Sequence, residues 1–166
     1  ISGCYNYGLK FLHGASRNVA TGNYVKDSGF GGILLAGTST RNRDTADNLI
    51  ANNTVCGVNT LHDHDSNSTF GISIRAGGGT TYLPRRNRIW DNLVDLSGTG
   101  KSAITAEAGA GTLNDIRRNA VLNYTIEDYN INAVTAPTLE KDVAAANSIR
   151  GNNTGVGDVA AGDAGA

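Results

Sequence analysis

The chain has 166 residues, enough for one domain with a real core and too few to make two domains the default. Its 14 Lys and Arg against 15 Asp and Glu leave a net charge of -1, which excludes a global field drawing it to nucleic acid or to an anionic membrane. With 22 Gly, 2 Pro and few aromatics, the composition is unlike a helical bundle and fits a chain that turns often and tightly.

Read in chain order, Ile1 stands eight residues before Leu9, as Val25 stands before Ile33, so Ile1 reads as the end of a repeat begun upstream and the chain as a fragment of a longer protein. Cys4 and Cys56 have no metal-ligand spacing around them and read as small buried apolar residues. No apolar run is long enough to span a bilayer and no basic-then-apolar leader is visible, so membrane insertion is not expected. Leu9-Lys10-Phe11 is the first apolar-polar-apolar strand, and its pattern recurs at Ile33–Leu35, Ile72–Ile74, Ile104–Ala106 and Tyr129–Ile131. Between these strands an eight-residue signature, Asn-x-Ile-x-x-Asn-x-Val, appears five times. It begins at Asn18, Asn48, Asn87, Asn114 and Asn147, with Ala20 for Ile in the first copy and Thr154 for Val in the last.

Successive signatures start 30, 39, 27 and 33 residues apart, so the unit is constant while the connections vary. Each repeat holds at least two short strands divided by an Asn-bearing corner, too little to bury its own apolar face, so stacking must complete the core. Asn suits the corner because it tolerates the left-handed region and carries an amide that can bond the corner of the next coil. Stacked parallel strands then place like residues on like and align the branched aliphatics into a continuous pillar. The expected fold is all-β, a right-handed single-stranded parallel β-helix of about five rungs over residues 1–154, followed by a Gly/Ala-rich tail or linker over 155–166.

Several residues stand out against this scaffold. Counting outward from the strand column gives Leu12, Ala36, Arg75, Glu107 and Asn132 on one line, so Arg75 and Glu107 should be neighbours on adjacent rungs. Glu107 beside Arg75 is a candidate general acid/base next to a cation able to neutralise a sugar carboxylate. The plain alternative is a cross-strand ion pair. Lys10 with Ser73, Thr105 and Asn130 reads as a polar outward column suited to sugar hydroxyls. Loops 37–47 and 76–86 leave consecutive rungs at equivalent places and should project side by side. They carry Arg41, Arg43, Tyr82, Arg85 and Arg86, a set able to grip carboxylates and stack on a sugar face, or else a solvated loop pair or subunit contact.

Other runs read more plainly. His62-Asp63-His64-Asp65 is the densest titratable stretch, but alternating neighbours in a loop rarely converge on one ion, and no metal or other cofactor is expected. Gly98-Thr99-Gly100-Lys101-Ser102 imitates a phosphate loop but runs into a strand where that motif needs a helix, and reads as a turn. Asn52, Asn67, Asn123 and Asn152 are formal glycosylation sequons, of which Asn52 and Asn152 fall in or beside the ladder positions. Glu127-Asp128, Glu140 and Asp142 are the remaining candidates for a paired-carboxylate hydrolase.

The repeated Asn-x-Ile-x-x-Asn-x-Val unit resembles right-handed parallel β-helix proteins of the pectate-lyase-like type, which include bacteriophage tailspikes, polysaccharide lyases and mannuronan epimerases. The resemblance covers residues 1–153 and is specific for architecture, not for chemistry. It implies a polysaccharide lying along the stacked strands. Three readings follow: a tailspike or receptor-binding segment that binds a bacterial surface polysaccharide, with or without depolymerising it, forms a homotrimer and belongs to a virion tail; a secreted lyase or epimerase acting on an acidic glycan; and a non-catalytic structural or adhesin solenoid.

Overall fold

The computed structural model describes residues 1–39, 42–58, 69–76, 82–96, 102–107, 110 and 113–123, together with the backbone of three later strands. In chain order the strands are Tyr7–Phe11 (β1), Val19–Thr21 (β2), Tyr24–Ser28 (β3), Gly31–Ala36 (β4), Leu49–Ala51 (β5), Thr54–Val58 (β6), Phe70–Arg75 (β7), Arg88–Trp90 (β8), Leu93–Asp95 (β9), Ser102–Ala106 (β10), Asp115–Arg117 (β11), Ala120–Leu122 (β12), Glu127–Ile131 (β13), Ser148–Arg150 (β14) and Thr154–Gly155 (β15). They form three sheets, β1-β4-β7-β10-β13, β2-β5-β8-β11-β14 and β3-β6-β9-β12-β15. Every pairing between these strands is parallel, and there is no helix among the described residues. The chain visits the three sheets in rotation, one strand each, and returns beside its starting strand, which is the arrangement of a β-helix-like solenoid. We call each strand triplet a rung.

The Asn signature is itself two strands, so a rung holds three where the alternation alone established at least two. One strand carries the signature's Ile, the next its Val, and the second Asn turns the chain between them. Ile33, Ile72 and Ile104 are in register in the first sheet, Ile50, Ile89 and Ile116 in the second, and Val25, Val55, Val94 and Val121 in the third. All ten have no exposed surface, and together with Leu35, Ile74 and Leu96 they form one core cluster down the axis. Full burial of each such side chain stabilises the fold by about 1.5–3 kcal/mol.

Gly8, Gly32 and Gly71 hold the first and third sheets close together. A Cβ there would lie 2.2, 2.2 and 2.1 Å from the Cγ1 of Val25, Val55 and Val94 respectively. A side chain at these positions would force the facing valine aside, which accounts for the glycine that precedes the strand aliphatics in three successive rungs.

Two amide ladders close the corners. Asn18, Asn48, Asn87 and Asn114 form one, and Asn23, Asn53, Asn92 and Asn119 the other. Each Oδ1 from the second rung onward accepts both the backbone N–H and the Nδ2–H of the Asn before it, as Asn53 does from Asn23 at 3.0 and 2.9 Å. The Nδ2 of Asn53 in turn donates to Ala20 O and to Asn92 Oδ1, both at 3.0 Å. The expected bond between corners is therefore present, and it is doubled by the backbone.

The residue before each ladder Asn is the true bend. Arg17, Asp47, Arg86 and Leu113 precede the first ladder with φ between 52° and 63°, and Asn52, Asp91 and Arg118 precede the second with φ between 49° and 55°. These are non-glycine residues in the left-handed region, uncommon singly and here repeated rung after rung. The geometry makes two outward-facing columns of corner side chains.

The cysteines depart from the sequence reading. Both are free and only half-buried. Val55 takes the inward position of β6, so alternation turns Cys56 outward, where its Sγ and Tyr24 Oη are hydrogen-bonded at 3.3 Å. That contact pushes the Tyr24 hydroxyl above its ordinary pKa.

Candidate functional site

The described parts of the loops at 37–47 and 76–86 lie side by side. Thr38 N donates to Tyr82 O at 2.9 Å, Leu83 N to Asp44 Oδ1 at 2.9 Å, and Arg85 N to Thr45 O at 3.1 Å. The loops bring Arg43, Arg85 and Arg86 into one region, and they also supply acids that engage two of these. Arg86 binds Asp47 in a fork, Nε to Oδ1 at 2.7 Å and Nη2 to Oδ2 at 2.9 Å. Arg85 Nε lies 3.4 Å from Asp44 Oδ2, a close ion pair without hydrogen-bond geometry. The Asp47 carboxyl is held below its usual range, first by the hydrogen bond from Arg86, with Arg17 and Arg88 adding to the effect.

Two shallow clefts meet at that pair. One, of about 400 Å³, is lined by Ser16, Arg17, Arg43 and Asp44 with Asp47 and Arg86. The other, of about 320 Å³, is lined by the same Asp47 and Arg86 together with Arg88, Leu113 and Asp115. The clefts adjoin on either side of that pair, and we call the two together, from Arg17 in the first rung to Asp115 in the fourth, the trough. Arg17, Arg43 and Arg88 are exposed and have no carboxylate within ion-pair distance among the described residues. Net charge near zero thus hides a local surplus of guanidinium.

Outside the clefts, Arg88 lies against Trp90 on the outer face of the second sheet. The guanidinium carbons of Arg88 and Arg117 lie 5.3 and 5.2 Å from the indole centroid, and that of Arg118 lies 6.0 Å away. Arg118 is forked onto Asp91 at 2.7 Å through both nitrogens, which lowers the Asp91 pKa, and Arg117 pairs with Asp115.

The outer face of the first sheet is more closed than the sequence suggests. Arg75 and Glu107 are neighbours on adjacent rungs, as counted, and form an ion pair with Arg75 Nε on Glu107 Oε1. The Arg75 guanidinium carbon also lies 5.7 Å from the Phe70 ring centroid. The polar column through Lys10 is interrupted, because Leu34 stands between Lys10 and Ser73 in register and is buried. Ser73 itself has no exposed surface, and its Oγ accepts from Thr105 Oγ1 at 2.7 Å, so these hydroxyls satisfy each other and do not face a sugar. Lys10 is exposed, with Nζ 4.8 Å from the Tyr7 centroid. Leu12 and Ala36, at the head of the Arg75 column, pack with Leu34, Phe70 and Tyr7 in a small apolar cluster.

Arg41, the His62–Asp65 run, residues 98–101, Asn67, Asn132, Glu140, Asp142, Asn147 and Asn152 lie outside the described residues, as does the 155–166 tail apart from the backbone of Gly155. Glu127, Asp128 and Asn130 are described only as backbone of β13. Among the described residues no group of three or more His, Cys, Asp or Glu converges as a metal site.

Sequence reasoning missed Arg17, Arg88 and Trp90. Arg17, Asp47 and Arg86 each stand immediately before a ladder Asn, so aligning the signatures and reading the position ahead of them would have placed all three in one column. No family model, curated protein or solved structure matches the chain.

Proposed function

We propose that the chain is a segment of a right-handed parallel β-helix of about five rungs that binds an acidic polysaccharide along the Arg17–Arg88 trough, as a tailspike or other receptor-binding fibre does. The hand follows from the near-universal right-handedness of parallel crossover connections. The reading rests on one observation. Three exposed guanidiniums, with no carboxylate at ion-pair distance among the described residues, line two adjoining clefts that are open to solvent. Arginine grips carboxylates in a planar fork, and exposed positions leave it free to do so. In this reading the protein works at the virion tail or outside the cell, as a homotrimer, with Tyr82 and Arg85 bordering the bound glycan and Lys10 contacting a stretch that crosses the first sheet.

Affinity electrophoresis tests it. In gels cast with an acidic bacterial capsular polysaccharide the chain should be retarded, and in gels with a neutral dextran it should not. The triple variant Arg17→Gln, Arg43→Gln, Arg88→Gln should run unretarded while keeping its melting temperature. Equal retardation of variant and parent would remove the trough from consideration.

A second reading, a secreted lyase or epimerase, is favoured by the Arg75–Glu107 pair. A carboxylate able to take a proton, beside a half-exposed cation that can neutralise a sugar carboxylate, is what proton abstraction next to that carboxylate needs. Its sign is the ultraviolet absorbance of unsaturated sugar ends, released by a monomer. Retardation by a polymer that is never shortened, in a protein that gains stiffness from its ladders alone, would fit the adhesin reading.

A further inference from the structure

Charge alternates along the trough. Arg17 and Arg43, without acid partners among the described residues, stand at one end beside Asp44, which Arg85 pairs, the forked Asp47–Arg86 pair follows, then Arg88, again without one among the described residues, then Asp115 paired with Arg117. Arg17 belongs to the rung of β2 and Arg88 to the rung of β8, two rungs further on, so the open cations are separated along the axis by about 10 Å. That is the reach of two linked sugar rings, not of one.

We infer that the glycan taken by this trough carries its acidic groups on alternate sugars, as a uronic acid alternating with a neutral or N-acetylated sugar, and not on every ring. The inference rests on the trough being the binding site. A carboxylate over Arg17 and another over Arg88 leave the intervening ring above Asp47 and Arg86. There a neutral sugar offers hydroxyls that can donate to the Asp47 carboxylate. A uronate on every ring sets an anion against Asp47, an acid whose low pKa keeps it charged. Arg86 cannot offset this fully because both its forked nitrogens are already committed to Asp47.

Trp90 supplies the readout. It is the chain's one tryptophan, and Arg88 and Arg117 lie against its ring, so its emission responds to what Arg88 binds. The experiment titrates the whole chain with hyaluronan oligosaccharides, which alternate glucuronate with N-acetylglucosamine, and with oligogalacturonates of the same ring number at the same ionic strength. The alternating ligand should bind at least ten-fold more tightly and shift Trp90 emission. Arg88→Gln should abolish the shift with melting unchanged, and Asp47→Asn should narrow the gap by improving oligogalacturonate binding. Equal or tighter binding of oligogalacturonate overturns the inference and leaves the trough as a general acidic-glycan site. Binding of neither ligand by the folded chain overturns the trough as an acidic-glycan site, and the inference with it.

Discussion

Tyr7 and Phe70 stack with ring centroids 5.7 Å apart and planes inclined by 17°, although a whole rung separates them. They meet because the residue between them in register is Gly31. A Cβ on Gly31 would lie 2.9 Å from Phe70 Cε2, 2.9 Å from Phe70 O and 3.0 Å from Tyr7 Cδ1. Gly31→Ala should therefore part the two rings and destabilise the fold by about 1–3 kcal/mol, the usual range for overpacking. Urea unfolding followed by circular dichroism measures it. A change under half a kcal/mol on the same scale would mean that the rings adjust at little cost.

Gly71→Ala makes a sharper demand. Its Cβ would meet Val94 Cγ1 at 2.1 Å and the carbonyl of Ala103 at 2.7 Å, and backbone on one side leaves only the valine free to move. We expect a loss at the upper end of the same range, about 3 kcal/mol. Adding Val94→Ala should recover part of that loss, which a double-mutant cycle of urea midpoints reads directly.

Asn53→Ala removes a group that accepts two hydrogen bonds and donates two others inside the corner. Buried partners left without bonds cost about 1–3 kcal/mol each, partly relieved by relaxation, so a total near 3 kcal/mol is expected. Asn53→Asp should fare no better, since a carboxylate accepts where Nδ2 must donate. The comparison of the two melting curves decides whether donation or mere occupancy matters.

Acid should loosen the Asp47–Arg86 fork. The folded pKa of Asp47 lies below its ordinary value, so the pair's contribution is complete above the unfolded value of about 3.9 and is lost as pH falls through the folded one. Because both side chains are well exposed, screening limits the effect to about 0.2–1 kcal/mol. Stability measured from about pH 6 down to about pH 3 should fall less in Asp47→Asn than in the parent. Identical slopes would leave the fork without energetic weight.

Glu107→Gln should leave retention in an acidic-glycan gel unchanged, because Glu107 is not among the residues lining the trough. Its ion pair with the half-exposed Arg75 contributes no more than about 1 kcal/mol. Loss of unsaturated sugar products in this variant, with retention intact, would instead assign Glu107 to chemistry.

The buried architecture was legible because every rung imposes the same constraint at the same place. Ile50, Ile89 and Ile116 repeat since each fills the same space above the last, and Asn48, Asn87 and Asn114 repeat since each completes the amide before it. Outward positions carry no such demand. Trp90 follows Ala51 and precedes Arg117 in its column, so nothing periodic announces it. The adjacency of Arg75 and Glu107 could be counted from the strand pattern, whereas the burial of Leu34 and Ser73 on the outer face could not, since alternation alone assigns that face to solvent.

The two amide series have a sense of direction: each member takes from the coil before it and gives to the coil after it. Duplicating or excising one full coil therefore returns every amide to an equivalent mate, however long the intervening connection, while a cut through a signature strands one. A chain built this way can lengthen or shorten by whole coils without redesign, and the uneven spacing of 30, 39, 27 and 33 residues shows the freedom such modularity leaves to the connections.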